Sequence, residues 1–138
     1  SKYARKEILK ARELIKEKDI KPNIDGIRSF RNDVLNGEIE QLNEITNWSD
    51  FYSTSMCRDL CFHSHEKCYS ILEIKKMIET VNLEFLGFTL SNDIKDKYKR
   101  TNTNIESLKN LHLWDKFEQT NPSSFKEMYQ FWTRKSIK

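Results

Sequence analysis

Glycine and proline are scarce in this 138-residue chain, with 3 Gly and 2 Pro. That scarcity excludes collagen-like, linker-like and proline-rich classes, and it argues against a β-sandwich built on many tight turns. Gly26, Gly37 and Gly87 stand far apart, so neither a G-x-G-x-x-G nor a P-loop pattern can be written from them. Cysteine is limited to Cys57, Cys61 and Cys68, an odd number crowded into one stretch. This is not a disulfide framework, and it points to a reducing compartment, the cytoplasm. No apolar run approaches the roughly 20 residues of a membrane helix. The N-terminus is charged, not a basic-then-apolar leader. A strong charge of one sign is missing too: 24 basic and 21 acidic residues leave a net +3, which argues against a dedicated nucleic-acid binder. Locally the charge is uneven. Residues 1–21 hold eight basic against four acidic side chains and residues 22–50 hold two against six, which reads as neighbouring solvated faces.

Aromatic residues, at 12%, are what the chain does have, and each buries a large area. Its length suits one domain, residues 1–138, with a real core. The periodicity predicts mostly helix. Helices are expected over residues 2–18, ended by Lys21-Pro22, over 24–36 with Gly37 as the C′ residue, and over 38–46. Asn47 to Asp50 reads as a loop. Ser53 or Ser55 is expected to cap a helix reaching about Phe62. Residues 63–69 read as extended, 71–81 as helix, and Leu83–Leu90 as an apolar strand. A charged helix capped by Ser91 follows, then one starting at Thr103 or Asn104 with Ile105, Leu111, Trp114 and Phe117 inward. Asn121-Pro122 opens a last helix carrying Phe125, Met128, Tyr129 and Trp132. The fold class is therefore α+β, mainly helical, with about six or seven helices and one or two short strands.

The densest chemistry lies between Ser49 and His63, in Ser-Asp-Phe-Tyr-Ser-Thr-Ser-Met-Cys-Arg-Asp-Leu-Cys-Phe-His. This string resembles the "DFYS.S.CRDL.FH" signature in the C-terminal part of a family of bacterial class I S-adenosylmethionine-dependent methyltransferases, some fused to tetratricopeptide repeats. The resemblance continues in order along the chain. Tyr69-Ser70-Ile71-Leu72-Glu73-Ile74 sits where the family has "F-T-L-x-x-I", and Leu83-Glu84-Phe85-Leu86-Gly87-Phe88 matches "L-x-F-L-G-F". Leu113-Trp114-Asp115-Lys116-Phe117-Glu118 matches "L-W-x-x-F-E", and Asn121-Pro122 and Met128-Tyr129-Gln130-Phe131-Trp132 match "N-P" and "M-Y-Q-F-W". Ser1 to Arg5 resembles a "Y-S-x-x-A-R" string that follows the last core motif of the cofactor domain. One departure stands out: the family's "F-H-x-Q-E-H" is Phe62-His63-Ser64-His65-Glu66-Lys67 here, with His65 in place of Gln and Lys67 in place of the last His.

The resemblance implies a C-terminal, substrate-side cap region lacking the Rossmann-like domain that holds S-adenosylmethionine, consistent with the scattered glycines. It implies an inactive chain when alone, with the cofactor domain as partner on the same or a separate chain and an unassigned methyl acceptor. In-line placement is the main demand of methyl transfer, with a base needed only for a protonated acceptor. Asp59, His63 and Tyr52 are the candidate catalytic residues, and Asp50, Arg58 and Glu66 the candidate substrate-binding ones. Asp59 and His63 lie four apart, so a helix continuing to His63 would let the carboxylate orient the imidazole. The plainer reading is that Arg58 and Asp59 make structural ion pairs and His63 packs at a helix end. Cys57-x3-Cys61-x-His63-x-His65-x2-Cys68 offers zinc-type ligands, but structural sites use separated hooks, and no metal is assigned. The C-terminal aromatics could stack on bases, yet their helical spacing favours core. A non-catalytic helical interaction module is the alternative function.

Overall fold

The computed structural model describes residues 1–63, 65–126 and 128–136. Six α-helices dominate: α1 (Lys6–Glu17), α2 (Ile24–Leu35), α3 (Thr54–Cys61), α4 (Ile71–Thr80), α5 (Asn92–Thr101) and α6 (Leu111–Thr120). Shorter 3-10 segments span Glu40–Asn47, Ser49–Tyr52, Ile105–Lys109 and Pro122–Phe125, and two strands, β1 (Leu83–Phe88) and β2 (Phe131–Lys135), are the remaining elements among the described residues. The fold is α+β and mainly helical. Among the described residues no helix is long and apolar enough to cross a membrane. The contacts divide the chain into two units, Arg5–Lys67 and Ser1–Ala4 with Cys68–Lys138.

In the first unit, α1, α2, α3 and the first two 3-10 segments share one apolar core. Asn23 starts α2 by accepting from the Gly26 amide at 2.8 Å. The helix closes with Gly37 at φ 76°, whose amide donates to Val34 O while the Glu38 amide donates to Asp33 O, a Schellman closure that a Cβ would strain. Phe30 sits at the centre of the unit, edge-on to Phe51 at 6.3 Å and to Phe62 at 5.7 Å. Ile24 and Leu35 lie at the two ends of α2 and are exposed.

In the second unit, β1 and β2 form a two-stranded antiparallel sheet, with Leu83 opposite Lys135 and Phe88 opposite Phe131. A bulge at Leu86 shifts the register between Phe85 and Gly87. Phe85 and Phe88 face a core that includes Tyr98 and Trp114, whose rings stack at 3.6 Å. Ser70 and Glu73 form a capping box at the start of α4.

The expected helix from Asn121 is a correction. It is one 3-10 turn followed by β2, and Met128 and Trp132 are exposed. Residues 127, 137 and 138 of that expected helix, and residue 64 of the expected extended stretch, lie outside the described residues. Helix 103–117 is likewise divided. Asn110 accepts from the amides of His112 and Leu113, restarting the chain as α6, and Ile105 is left exposed. Residues 38–46, expected as α-helix, run instead as the Glu40–Asn47 3-10 segment, and the expected loop gives way to a second such turn at Ser49–Tyr52. Residues 2–5 lie outside α1, because Ser1 Oγ accepts from the Tyr3 and Ala4 amides and the Lys2 amide donates to Tyr69 O.

Candidate functional site

The Ser49–His63 string folds as one 3-10 turn running into α3. Ser53 is the N-cap, its hydroxyl accepting from the Met56 amide. The apolar members of the string turn inward: Phe51, Cys57, Leu60 and Cys61 are buried. Its polar members face out. Tyr52, Arg58, Asp59 and His63 are exposed and Asp50 is half-buried.

Each candidate has a defined setting. Asp50 accepts from Ser49 Oγ at 3.3 Å. The Tyr52 ring stands edge-on to Phe51 at 5.8 Å, and its carbonyl is held by the Arg31 guanidinium. Arg58 donates to Pro22 O at 2.9 Å, tying α3 to the turn before α2. His63 Nδ1 accepts from the His65 amide at 3.2 Å. The α-helix ends at Cys61, so the shared helical face expected for Asp59 and His63 does not form, and among the described residues no hydrogen bond or ion pair joins them. Glu66 is engaged within the protein. Its carboxylate pairs with Arg5 at 3.3 Å and Arg12 at 2.7 Å, while Arg12 also donates to Leu60 O and Arg5 lies over the Trp48 ring at 5.1 Å. This network anchors the chain after α3 to α1.

The thiols of Cys57 and Cys61 lie one turn apart inside the core. The S–H···S contact with Cys57, reinforced by burial, pushes the Cys61 thiol up and keeps it protonated. Among the described residues no group of three His, Cys, Asp or Glu side chains is arranged to hold a metal ion.

In the second unit the structure assembles a polar cluster that the sequence reading did not single out. Glu118 on α6 is fully buried, and Asp115, one turn earlier, is 5% exposed. The Tyr129 hydroxyl donates to Glu118, 2.9 Å from Oε1 and 2.7 Å from Oε2, and the Ser1 hydroxyl donates to Oε1. Asp115 Oδ2 accepts from Gln119 Nε2 at 2.8 Å, whereas Oδ1 is buried without a partner. Burial pushes the Glu118 carboxyl up, and it pushes up the Tyr129 and Tyr3 hydroxyls as well, with the two carboxylates adding to both. All three groups are thus shifted towards their protonated forms. A legible signal existed: Leu111, Trp114, Asp115 and Glu118 occupy the i, i+3, i+4, i+7 stripe, which puts two acids on an inward helix face.

An open cavity of about 460 Å³ lies elsewhere in the same unit, with an apolar floor of Ile78, Leu83, Phe85 and Leu111 and a charged rim that includes Lys75, Glu84 and Lys109. None of the residues assigned from the sequence lines it. No protein-family model, no curated protein and no solved structure matches the chain.

Proposed function

We propose that this chain is the C-terminal, acceptor-side part of a cytoplasmic class I S-adenosylmethionine-dependent methyltransferase of the family it resembles. The observation that carries this reading is a convergence. Ser1, Glu118 and Tyr129 come from three separate strings of the resemblance, and they meet in one hydrogen-bond network around the buried Glu118 carboxylate. The exposed polar face of the Ser49–His63 string adds support.

The residues present do not fit the methyl donor, because three scattered glycines supply no glycine-rich loop to lie against it. Donor binding belongs in this reading to a Rossmann-like domain on the same or a separate chain, and this chain alone is inactive. Asp59, His63 and Tyr52 are the acceptor-side catalytic candidates, and Asp50 and Arg58 the substrate contacts. Glu66 acts through Arg5 and Arg12 as a positioning residue.

Two measurements test this. Calorimetry with S-adenosylmethionine is expected to show no micromolar binding to the chain alone, and micromolar binding would overturn the assigned division of labour. Extending the coding sequence upstream of Ser1 is expected to reveal a glycine-rich strand–loop–helix, and the extended protein to transfer a methyl group. Loss of that transfer in Asp59→Asn or His63→Ala at unchanged stability supports their roles, and full activity in both removes them from catalysis. A second reading, a non-catalytic interaction module, draws on the exposure of Met128 and Trp132. Self-association on sizing, together with no donor domain upstream, would favour it.

A further inference from the structure

The sheet of the second unit leaves β2 with an open side. In an antiparallel ladder, alternate residues turn their N–H and C=O to one neighbour and the residues between turn theirs the other way. On β2 the alternation is fixed at both ends. Gln130 O accepts from the Thr89 amide at 2.8 Å, and the Ser136 amide donates to Asn82 O at 3.1 Å. Gln130, Trp132, Arg134 and Ser136 therefore face β1, and Phe131, Thr133 and Lys135 turn their backbone groups away from it. The sheet has no third strand, and among the described residues no backbone bond reaches those outward groups. Such an edge is a template for another strand. The side chains divide by face. Phe131 packs on Phe85 and Phe88 on the core side. On the other side Trp132 is 70% exposed, and Arg134 is held by both oxygens of Glu84 at 2.6 and 3.1 Å.

We propose that this edge is a homodimer surface, with β2 pairing antiparallel to β2 of a second copy about a two-fold axis at Thr133. The outward groups are symmetric about that residue. Thr133 meets Thr133 of the second copy, and Phe131 meets Lys135 in both directions, so every outward N–H and C=O finds a partner. The same register sets Trp132 directly beside Arg134 of the second copy. They form a non-hydrogen-bonded pair, the closer kind, on the exposed face. An indole beside a guanidinium is a favourable cation–π pair, and symmetry makes it twice. Phe131 lies opposite Lys135 in the same way on the other face. The edge cations that ordinarily deter edge pairing thus each meet an aromatic ring. Sliding the axis to Arg134 would set two guanidiniums against each other, and sliding it to Trp132 would leave the Lys135 backbone groups unmet. The Thr133 register alone satisfies both backbone and charge, and this self-complementarity selects a second copy as the occupant. The pairing does not rest on the proposed function.

The test combines sedimentation equilibrium with amide hydrogen exchange of the ¹⁵N-labelled chain, both over a dilution series. A monomer–dimer equilibrium is expected. Protection of the Phe131, Thr133 and Lys135 amides is expected to rise with concentration, while the Trp132 and Arg134 amides, which face β1, stay protected throughout. Trp132→Lys sets a cation against Arg134 of the second copy and changes only an exposed side chain, so it is expected to weaken the dimer by on the order of tenfold. Thr133→Pro removes an outward N–H and leaves the bonds to β1 in place, so it is expected to abolish the dimer. If the proline variant loses its helical circular dichroism, Trp132→Lys carries the test. A monomer at every concentration up to the solubility limit overturns the proposal. So does a dimer that Trp132→Lys leaves unchanged, which would use another surface. Protection of the three outward amides that does not vary with concentration also overturns it, because the occupant would then come from within one chain. A monomeric result leaves the methyl-transfer reading standing, and the absence of a donor domain upstream would leave this pairing standing.

Discussion

The Tyr129 hydroxyl bridges the carboxylate of Glu118, 2.9 Å from one oxygen and 2.7 Å from the other. It joins α6 to the segment leading into β2, and together with the Ser1 hydroxyl it donates to a fully buried acid. Tyr129→Phe keeps the ring packing against Phe125 and Phe88 and removes only this donor. A loss of about 1–3 kcal/mol is expected, the cost of leaving a buried acceptor unsatisfied. Urea unfolding measures it, and an unchanged midpoint would remove Tyr129 from the network.

Glu118 also sets a slope of stability against pH. Burial raises its carboxyl in the folded state, so the folded chain holds the proton more tightly than the unfolded chain. Its favourable contribution is present below the ordinary glutamate range and is lost as pH rises through the raised folded value. Glu73 has the opposite sign. The Lys2 ammonium, with help from the Ser70 amide and hydroxyl, holds its carboxyl down at about 2, so its contribution is present at neutral pH and lost as pH falls towards that value. Glu118→Gln is expected to flatten the fall in stability above the glutamate range, and Glu73→Gln the fall on the acid side. Thermal midpoints across pH 2 to about 8 separate the two.

Gly26 is required for space. A Cβ built there meets the Lys21 carbonyl oxygen at 2.2 Å, and that atom is backbone and cannot swing away. Gly26→Ala is expected to destabilise the chain by about 1–3 kcal/mol despite alanine's better helix propensity. A raised thermal midpoint would contradict the close approach.

Asp59→Asn and His63→Ala change exposed side chains on and beyond α3. Each is expected to alter stability by less than about 0.5 kcal/mol, as surface substitutions away from caps and cores do. Urea midpoints check this. A larger loss from either would assign the residue to the fold instead of to a surface that another molecule meets.

Glu66→Ala removes the common partner of Arg5 and Arg12 from a side chain only 29% exposed. Two guanidiniums are then left facing each other beside α1. A loss of about 1–2 kcal/mol is expected, more than an exposed pair is worth, and high salt is expected to narrow the difference. Equal stability of the two proteins at low salt would show the pair to be dispensable.

What the amino-acid sequence by itself determined is what local forces control. The stripe of Ile8, Ala11, Leu14 and Ile15 makes α1 amphipathic, Ser53 stops and restarts the backbone before α3, Gly37 closes α2, and Leu83–Phe88 is apolar at strand length. Each needs only neighbours within a few positions. What the tertiary structure alone decided depends on partners far along the chain. Phe125, Met128, Tyr129 and Trp132 fit a helical stripe, yet Phe131–Lys135 becomes a strand because β1, more than forty residues earlier, offers a ladder of backbone partners that no local pattern records. The exposed polar face around Asp59 and His63 was legible as composition, but the end of α3 at Cys61 keeps the two from sharing a helix face. Asp115 and Glu118 were visible only as two acids on an apolar stripe. Burial, which depends on everything packed around α6, made one of them a carboxylate with an oxygen still lacking a donor.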